Sequence, residues 1–170
     1  AKPEFTGEKF EVAAEQIGTA IDKDKFAETV TKAINGFQSE VDLMKEDCYI
    51  LPKYTKDSPE VAKACEKMNS ELGANITLDF SPNTEVVDSS VISQWITVDD
   101  NMQVTFNQDA VKQYIADLAA KYDTVGKTRN FTTATGNVVQ VEGGGYGWKI
   151  DQDAEYNALI TNIQNAETVT

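Results

Sequence analysis

The change from a strand to a capped helix is clearest at residues 102–118, which are MQVTFNQDAVKQYIADL. Met102, Val104 and Phe106 alternate with polar residues, and this period of two predicts a strand with one solvent-exposed face. After Phe106 the apolar residues recur every three or four positions, which predicts a helix. Asn107 lies between the two patterns, where its side chain can accept hydrogen bonds from the first helical N–H groups. The stretch therefore predicts a strand that leads directly into a helix.

The same junction recurs twice more in the sequence, as Ile21-Asp22-Lys23-Asp24 and as Ile150-Asp151-Gln152-Asp153. In each copy an apolar residue precedes a capping Asp, and a second Asp follows where the helix dipole favours negative charge. A weaker copy occurs at Val87-Asp88. We therefore predict helix caps at Asp22, Asn107 and Asp151.

Other segments follow the same two periods. Alternating apolar residues predict three further strands, at Phe10–Val12, Val41–Leu43 and Ile76–Phe80. They also predict a hairpin over Phe131–Val141, with its turn at Gly136-Asn137. The helical period predicts helices along four stretches, namely Phe26–Ile34, Val61–Leu72, Val111–Leu118 and Tyr156–Ile163. Because the strands alternate instead of being apolar throughout, we predict an α+β fold with helices packed on one face of mainly antiparallel sheets.

The length of 170 residues suits one domain or two small ones. We expect residues 8–166 to form a single α+β module, with two small subdomains as the alternative. Residues 1–7 and 167–170 lie outside the periodic segments, and we expect both ends to be frayed.

The chain carries 28 acidic and 15 basic residues, so its net charge is −13. Nucleic acids and anionic membrane surfaces are bound through Lys and Arg, and this balance argues against both as partners. No apolar run approaches the roughly 18 residues of a membrane span. Histidine is absent, which removes the commonest general base and most zinc sites. We therefore predict no catalytic residue, no metal and no cofactor within this sequence.

Cys48 and Cys65 are the two cysteines, and their spacing matches no metal-binding motif. A disulfide between them would pin the segment before the second predicted helix to that helix. In the chain-entropy model such a loop closure stabilises a fold by about 3 kcal/mol. The alternative is a pair of reduced, buried thiols. We predict the disulfide, because it agrees with an oxidising location.

The stretch Gly143-Gly144-Gly145-Tyr146-Gly147-Trp148 contains four glycines and two aromatic residues. The stretch lacks the spacing and the lysine of phosphate-binding loops, so we predict a sharp turn with positive φ instead. Tyr146 and Trp148 are candidate ligand contacts, since their rings combine apolar area with a polar tip. The alternative is that both rings fill the core at the junction of a strand and a helix.

The string Gly145-Tyr146-Gly147-Trp148-Lys149-Ile150-Asp151 also carries a family resemblance, together with Thr128–Thr133, Ala120–Thr124 and Trp95–Asp99. These residues resemble the signature of the peptidoglycan-binding domain that precedes the catalytic domain of YkuD-type L,D-transpeptidases. The same domain occurs in VanW-like proteins. The resemblance extends from Glu8 to Ala166.

The resemblance implies a non-catalytic module at the cell wall of a Gram-positive bacterium, outside the cytoplasm, with peptidoglycan as its partner. It also implies a transpeptidase catalytic domain downstream in the same polypeptide and an anchoring transmembrane helix that precedes the sequence. That enzyme class uses a cysteine nucleophile with a histidine partner. Because neither this motif nor any histidine is present here, no catalytic residue is carried over. The alternatives are a purely structural spacer and the ectodomain of a VanW-like protein.

Overall fold

A computed structural model describes residues 1–16 and 18–170, which form five helices and nine strands. The helices are α1 (Lys23–Asn35), α2 (Pro59–Glu71), α3 (Ser89–Trp95), α4 (Gln108–Tyr122) and α5 (Gln152–Gln164). The strands are β1 (Lys2–Phe5), β2 (Phe10–Ala13), β3 (Asn75–Phe80), β4 (Asn83–Val87), β5 (Ile96–Val98), β6 (Val104–Phe106), β7 (Arg129–Thr132), β8 (Val138–Val141) and β9 (Thr168–Val169). The α+β class predicted from the sequence is confirmed.

The strands of the described residues form four small sheets. Three of them are two-stranded antiparallel hairpins, β1–β2, β5–β6 and β7–β8. The fourth has the order β4–β3–β9, antiparallel between β3 and β4 and parallel between β3 and β9. Sheets this small cannot enclose a core by themselves, so the helices supply much of it.

The hydrophobic core joins four helices to the short strands. Its best buried members on these helices are Met68, Ile92, Ile115, Leu159 and Ile163. The hairpin β1–β2 is attached to α2 by the side chain of Asn69. This amide accepts the N–H of Phe10 at 2.7 Å and donates to the carbonyl of Phe10 at 2.8 Å. The core therefore extends from the first hairpin to the last helix.

The structure has a side-chain cap at each of the three predicted positions. The side chains of Asp22, Asn107 and Asp151 accept backbone N–H groups of the first helical turn at 3.1 to 3.2 Å. At the weaker copy, Asp88 caps α3 through the N–H of Ser90 at 2.9 Å. These caps satisfy N–H groups that have no partner inside the helix. Each cap therefore fixes where its helix begins.

The strand predicted at Val41 and Leu43 is wrong, because Leu43 belongs to a turn and Val41 to no strand. The Asp42 carboxylate accepts backbone N–H groups two and three residues further along, which bends the chain out of an extended path. Met102 also lies outside the strand, with φ of 59° and its N–H donating to the Asp99 carbonyl at 3.0 Å, and the strand begins at Val104. In both places local hydrogen bonding overrides an alternating pattern.

Both ends that were predicted to fray contain strands in the structure. Within residues 1–7, β1 pairs with β2 in an antiparallel register of four residue pairs. Within residues 167–170, β9 pairs with β3 in parallel. Both strands are too short to show a period, so only their pairing with another strand reveals them.

Helix α1 forms where it was predicted, but its apolar stripe does not enter the core. Phe26 is 38% exposed and Ile34 is 68% exposed, whereas Ala33 is buried. A helical period therefore predicts the helix correctly without predicting what covers its apolar face.

The disulfide predicted between Cys48 and Cys65 is absent from the described chain, and both residues are buried free thiols. The sulfur of Cys48 lies 3.4 Å from the hydroxyl of Thr29 on α1. Cys65 instead lies on the buried face of α2, where burial raises the pKa of its thiol. The two sulfurs have different neighbours, and the alternative of two buried thiols describes the structure.

Glu71, the last residue of α2, is a charged side chain that is only 1% exposed. Neither of its carboxylate oxygens has a hydrogen-bond partner among the described residues, and the Lys67 ammonium lies 3.8 Å away. Burial disfavours the ionised carboxylate more than the lysine favours it, so the pKa of Glu71 is raised.

We expect the Glu71→Gln variant to lack a pH-dependent loss of stability that the wild type has. Below pH 4.5, the ordinary pKa of this group, the carboxyl is protonated in both the folded and the unfolded chain. As the pH rises, the unfolded chain ionises freely while the buried carboxyl resists ionisation. The free energy of unfolding of the wild type should therefore fall relative to that of Glu71→Gln between pH 5 and pH 7. Urea unfolding measures this difference, and an equal difference at both pH values would contradict the assignment.

Candidate functional site

The glycine-rich segment packs directly against the chain that leaves α4. Residues 143–150 lie beside residues 123–127, and we call these two segments the glycine junction. A Cβ atom added to Gly147 would lie 2.6 Å from the nearest backbone carbonyl carbon, and one added to Gly143 would lie 2.3 Å from another. Side chains do not fit at such distances, so backbone meets backbone at both positions.

The predicted sharp turn with positive φ is present in this segment. Gly144 has φ of 46° and Gly147 has φ of 126°. The turn is closed by the N–H of Tyr146, which donates to the carbonyl of Gly143 at 3.1 Å. Gly147 is therefore constrained twice, by its backbone angle and by its close contact.

Hydrogen bonds hold the two segments of the glycine junction together. The N–H of Thr124 donates to the Trp148 carbonyl at 2.9 Å, and the N–H of Trp148 donates to the Thr124 hydroxyl at 3.0 Å. The N–H of Ile150 donates to the Asp123 carboxylate at 2.8 Å. Asp123 directly follows α4, and the capping Asp151 directly precedes α5. The junction therefore connects the end of one core helix to the start of the next.

Tyr146 and Trp148 are exposed, at 78% and 45%, and do not fill the core. The alternative of buried rings is therefore wrong for this pair. The Trp148 ring lies nearly parallel to Phe80, with centroids 6.2 Å apart. Phe80 in turn stacks on Tyr122 at 4.1 Å. Trp148 is thus the outer member of a row of three rings and presents part of its surface to solvent.

Arg129, the first residue of β7, holds Tyr146 in place. The guanidinium carbon lies 4.8 Å from the centre of the Tyr146 ring, a cation–π contact. The same guanidinium donates through Nη2 to the Thr124 carbonyl at 3.2 Å. These contacts attach the hairpin β7–β8 to the glycine junction.

Two hollows meet at the pair formed by Arg129 and Tyr146. The first, which we call the hairpin groove, has a volume of about 390 Å³, and its lining includes Lys127, Arg129, Phe131, Val141, Glu142 and Tyr146. The second, the Trp148 hollow, has a volume of about 470 Å³ and is lined by Thr124, Arg129, Gly145, Tyr146, Gly147 and Trp148. Both volumes fall within the range of small-ligand pockets. The exposed rings therefore lie beside spaces that a ligand could enter.

The cations that line these two hollows differ from a nearby lysine, which is paired with a carboxylate. Lys121 pairs with Glu85 at 2.6 Å, and hydrogen bonds from Lys121 and Tyr122 lower the pKa of Glu85. By contrast, neither Lys127 nor Arg129 forms an ion pair with another residue of the described chain. The surface thus combines exposed aromatic rings with unpaired cations in a strongly acidic chain.

The structure brings together only some of the predicted site residues. Tyr146, Trp148 and the cap Asp151 all belong to the glycine junction or adjoin it. The other two caps, Asp22 and Asn107, begin helices α1 and α4. No group of three metal-ligating side chains occurs within residues 1–16 and 18–170. None of the helices that the structure describes is both apolar and long enough to span a bilayer.

The sequence analysis missed Lys127, Arg129 and Phe131 as members of the site. One signal was available, because Arg129 is the only arginine in a chain with 28 acidic residues. A second was the alternation of Arg129 with Phe131, which places both side chains on one face of the predicted hairpin. The contact between Arg129 and Tyr146 spans 17 residues and has no sequence pattern of its own.

A family model described as "Putative peptidoglycan binding domain" matches residues 54–170. The chain belongs to this family. The matched part includes α2, the hairpin β7–β8 and the whole of the glycine junction. The family predicted from the resemblance in the sequence is confirmed. No curated protein matches the chain.

Two solved L,D-transpeptidase structures are similar to this peptidoglycan-binding domain. The first is the avibactam carbamoyl enzyme of Ldtfm, with a TM-score of 0.51 and 29% identity, covering 64% of this chain and 43% of that one. The second is a cysteine-to-serine mutant of the Enterococcus faecium L,D-transpeptidase, with a TM-score of 0.50 and 30% identity, covering 62% of this chain and 42% of that one. The chain spans less than half of the length of these transpeptidases.

We expect the Gly147→Ala variant to destabilise the peptidoglycan-binding domain by about 2 kcal/mol, because a methyl group there meets the Thr124 backbone in a strained conformation. Gly145→Ala is the matched control, since no atom of the described residues lies within 4 Å of the added Cβ. The control should change the free energy of unfolding by less than about 0.5 kcal/mol. Urea unfolding compares the two variants, and equal stability would show that the close contact is not a constraint.

Proposed function

We propose that this chain is a non-catalytic module that binds peptidoglycan outside the cytoplasm, through the surface formed by Tyr146 and Trp148. The observation that carries the proposal is the exposure of both rings beside two hollows, on a segment fixed by the glycine junction. Exposed rings that lie together on a rigid segment are typical of a site that binds a partner. Their faces suit sugar rings and apolar parts of peptides alike.

The rings are held in a way that suits binding. Trp148 is fixed by backbone hydrogen bonds and by its contact with Phe80, and Tyr146 is fixed by Arg129. Side chains that are ordered before a ligand arrives lose less conformational entropy on binding. A purely structural spacer, by contrast, would bury its aromatic junction. The exposure of Tyr146 therefore favours binding over the spacer.

We also propose that the module is part of an L,D-transpeptidase, whose catalytic domain lies elsewhere in the same polypeptide. The support is the similarity to two solved enzymes of that class, which are more than twice as long as the matched region. This similarity favours a transpeptidase over a VanW-like protein as the parent. Because peptidoglycan lies outside the cytoplasmic membrane, the module would act at the cell wall.

We expect wild-type protein to be retained on purified sacculi and the Tyr146→Ala variant to be retained about tenfold less, which corresponds to about 1.4 kcal/mol for one lost aromatic contact. Co-sedimentation with sacculi measures the retained fraction. Trp148→Ala should show a similar loss, with its thermal unfolding recorded because Trp148 also contacts Phe80.

Phe37→Ala is the matched control, because Phe37 is an aromatic residue that is 97% exposed and lines neither hollow. This control should be retained like the wild type. If wild-type protein did not sediment with sacculi, the proposal of binding would be wrong and the module would be a structural spacer.

A further inference from the structure

The hairpin β7–β8 has one apolar face that remains exposed. Directly opposed residues in an antiparallel pair share a face, and so do alternate residues along a strand. The register therefore places Phe131 and Val139 on the same face as Arg129 and Val141. On this face Phe131 is 62% exposed, Val139 is 43% exposed and Val141 is 51% exposed. An isolated two-stranded hairpin is only marginally stable in water, so a partner that covers this face would also stabilise it.

The hairpin groove lies over this apolar face, and Tyr146 also lines it. Its walls are mainly apolar, with Phe131, Val141 and the Tyr146 ring. Its polar groups are the cations Lys127 and Arg129 and the carboxylate of Glu142. A mainly apolar groove with a few charged groups is typical of a site that orients a ligand through those groups.

Arg129 is suited to a carboxylate ligand. A guanidinium has five N–H donors in a planar fork that matches the two oxygens of a carboxylate. Here one nitrogen donates to the neutral Thr124 carbonyl, and the group also lies against the neutral ring of Tyr146. Neither contact neutralises the charge, and the described chain supplies no ion-pair partner. Arg129 therefore keeps both its charge and donor capacity for a ligand.

We infer that the hairpin groove binds a short peptide that carries a carboxylate, with the carboxylate on Arg129 and Lys127 and the apolar part of the peptide on Phe131, Val141 and Tyr146. This inference rests on the proposed function, since peptidoglycan contains both glycan strands and short peptides with free carboxylates. The two cations of the groove outnumber its one carboxylate, Glu142, so charge complementarity favours a peptide carboxylate over neutral sugar hydroxyls. The stem peptides are therefore the part of peptidoglycan that this groove recognises.

Retention on two kinds of bead tests the inference, one carrying fragments of intact sacculi and one carrying glycan strands that an amidase has freed of stem peptides. We expect wild-type protein to be retained about tenfold less on the stripped glycan, because the peptide's apolar contacts and its own carboxylates are lost and only the lactyl carboxylate of each muramic acid is left. Arg129→Gln should lose about tenfold on intact sacculi, and its retention should no longer depend on the peptides. Lys63→Gln is the matched control, since Lys63 is an exposed cation on α2 that takes part in no ion pair of the described chain.

Lys127→Gln is a second variant, for the case that Arg129→Gln disturbs the hairpin. It removes a charge from the exposed rim of the groove and should weaken retention on intact sacculi several-fold. The wild-type interaction should also weaken as salt is added, because the contact is partly exposed.

Each other outcome overturns the inference. Equal retention on intact sacculi and on stripped glycan, unchanged by Arg129→Gln and Lys127→Gln, would assign binding to the glycan and leave the proposed function standing. No retention on either kind would overturn the proposed function as well. A wild-type dimer in solution that Arg129→Gln dissociates would assign the groove to a second copy of this chain.

Discussion

Backbone packs directly on backbone where Gly147 meets Thr124, and much of the surface described above depends on this contact. Because no side chain separates the two segments, the Thr124 N–H can reach the Trp148 carbonyl and the Trp148 N–H can reach the Thr124 hydroxyl. That pairing fixes the end of α4 relative to the start of α5. It also points Trp148 away from the core and toward Phe80. The glycines are therefore a requirement of packing as well as of the turn.

The hairpin depends on the same contact through Arg129. Its guanidinium bridges the Thr124 carbonyl on one side of the glycine junction and the Tyr146 ring on the other. The arginine thus has a structural role and a charge that no other described residue pairs. In a chain with a net charge of −13, such a charge beside exposed rings marks one surface as different from the rest. An acidic protein can in this way present a local site for an anionic ligand.

The features that could be predicted from the sequence are the ones that local interactions determine. Helix α4 and its cap Asn107 follow from a period and from a hydrogen bond that spans three residues. The turn at Asp42 shows the limit, because a local side-chain bond there overrides an alternating pattern. Strand β9 and the pairing of Arg129 with Tyr146 depend on partners far away in the chain, so no period predicts them. The same holds for Cys48, whose neighbour on α1 was not predictable from spacing.

Amide hydrogen exchange of the glycine junction tests the central claim most directly. The N–H groups of Thr124, Trp148 and Ile150 are hydrogen-bonded across the junction, whereas the N–H of Gly145 has no partner among the described residues. If the junction is the rigid support of the aromatic surface, these three amides exchange at least about a hundredfold more slowly than that of Gly145. Exchange of all four at similar rates would show that the two segments separate freely, and the account of the surface would then be wrong.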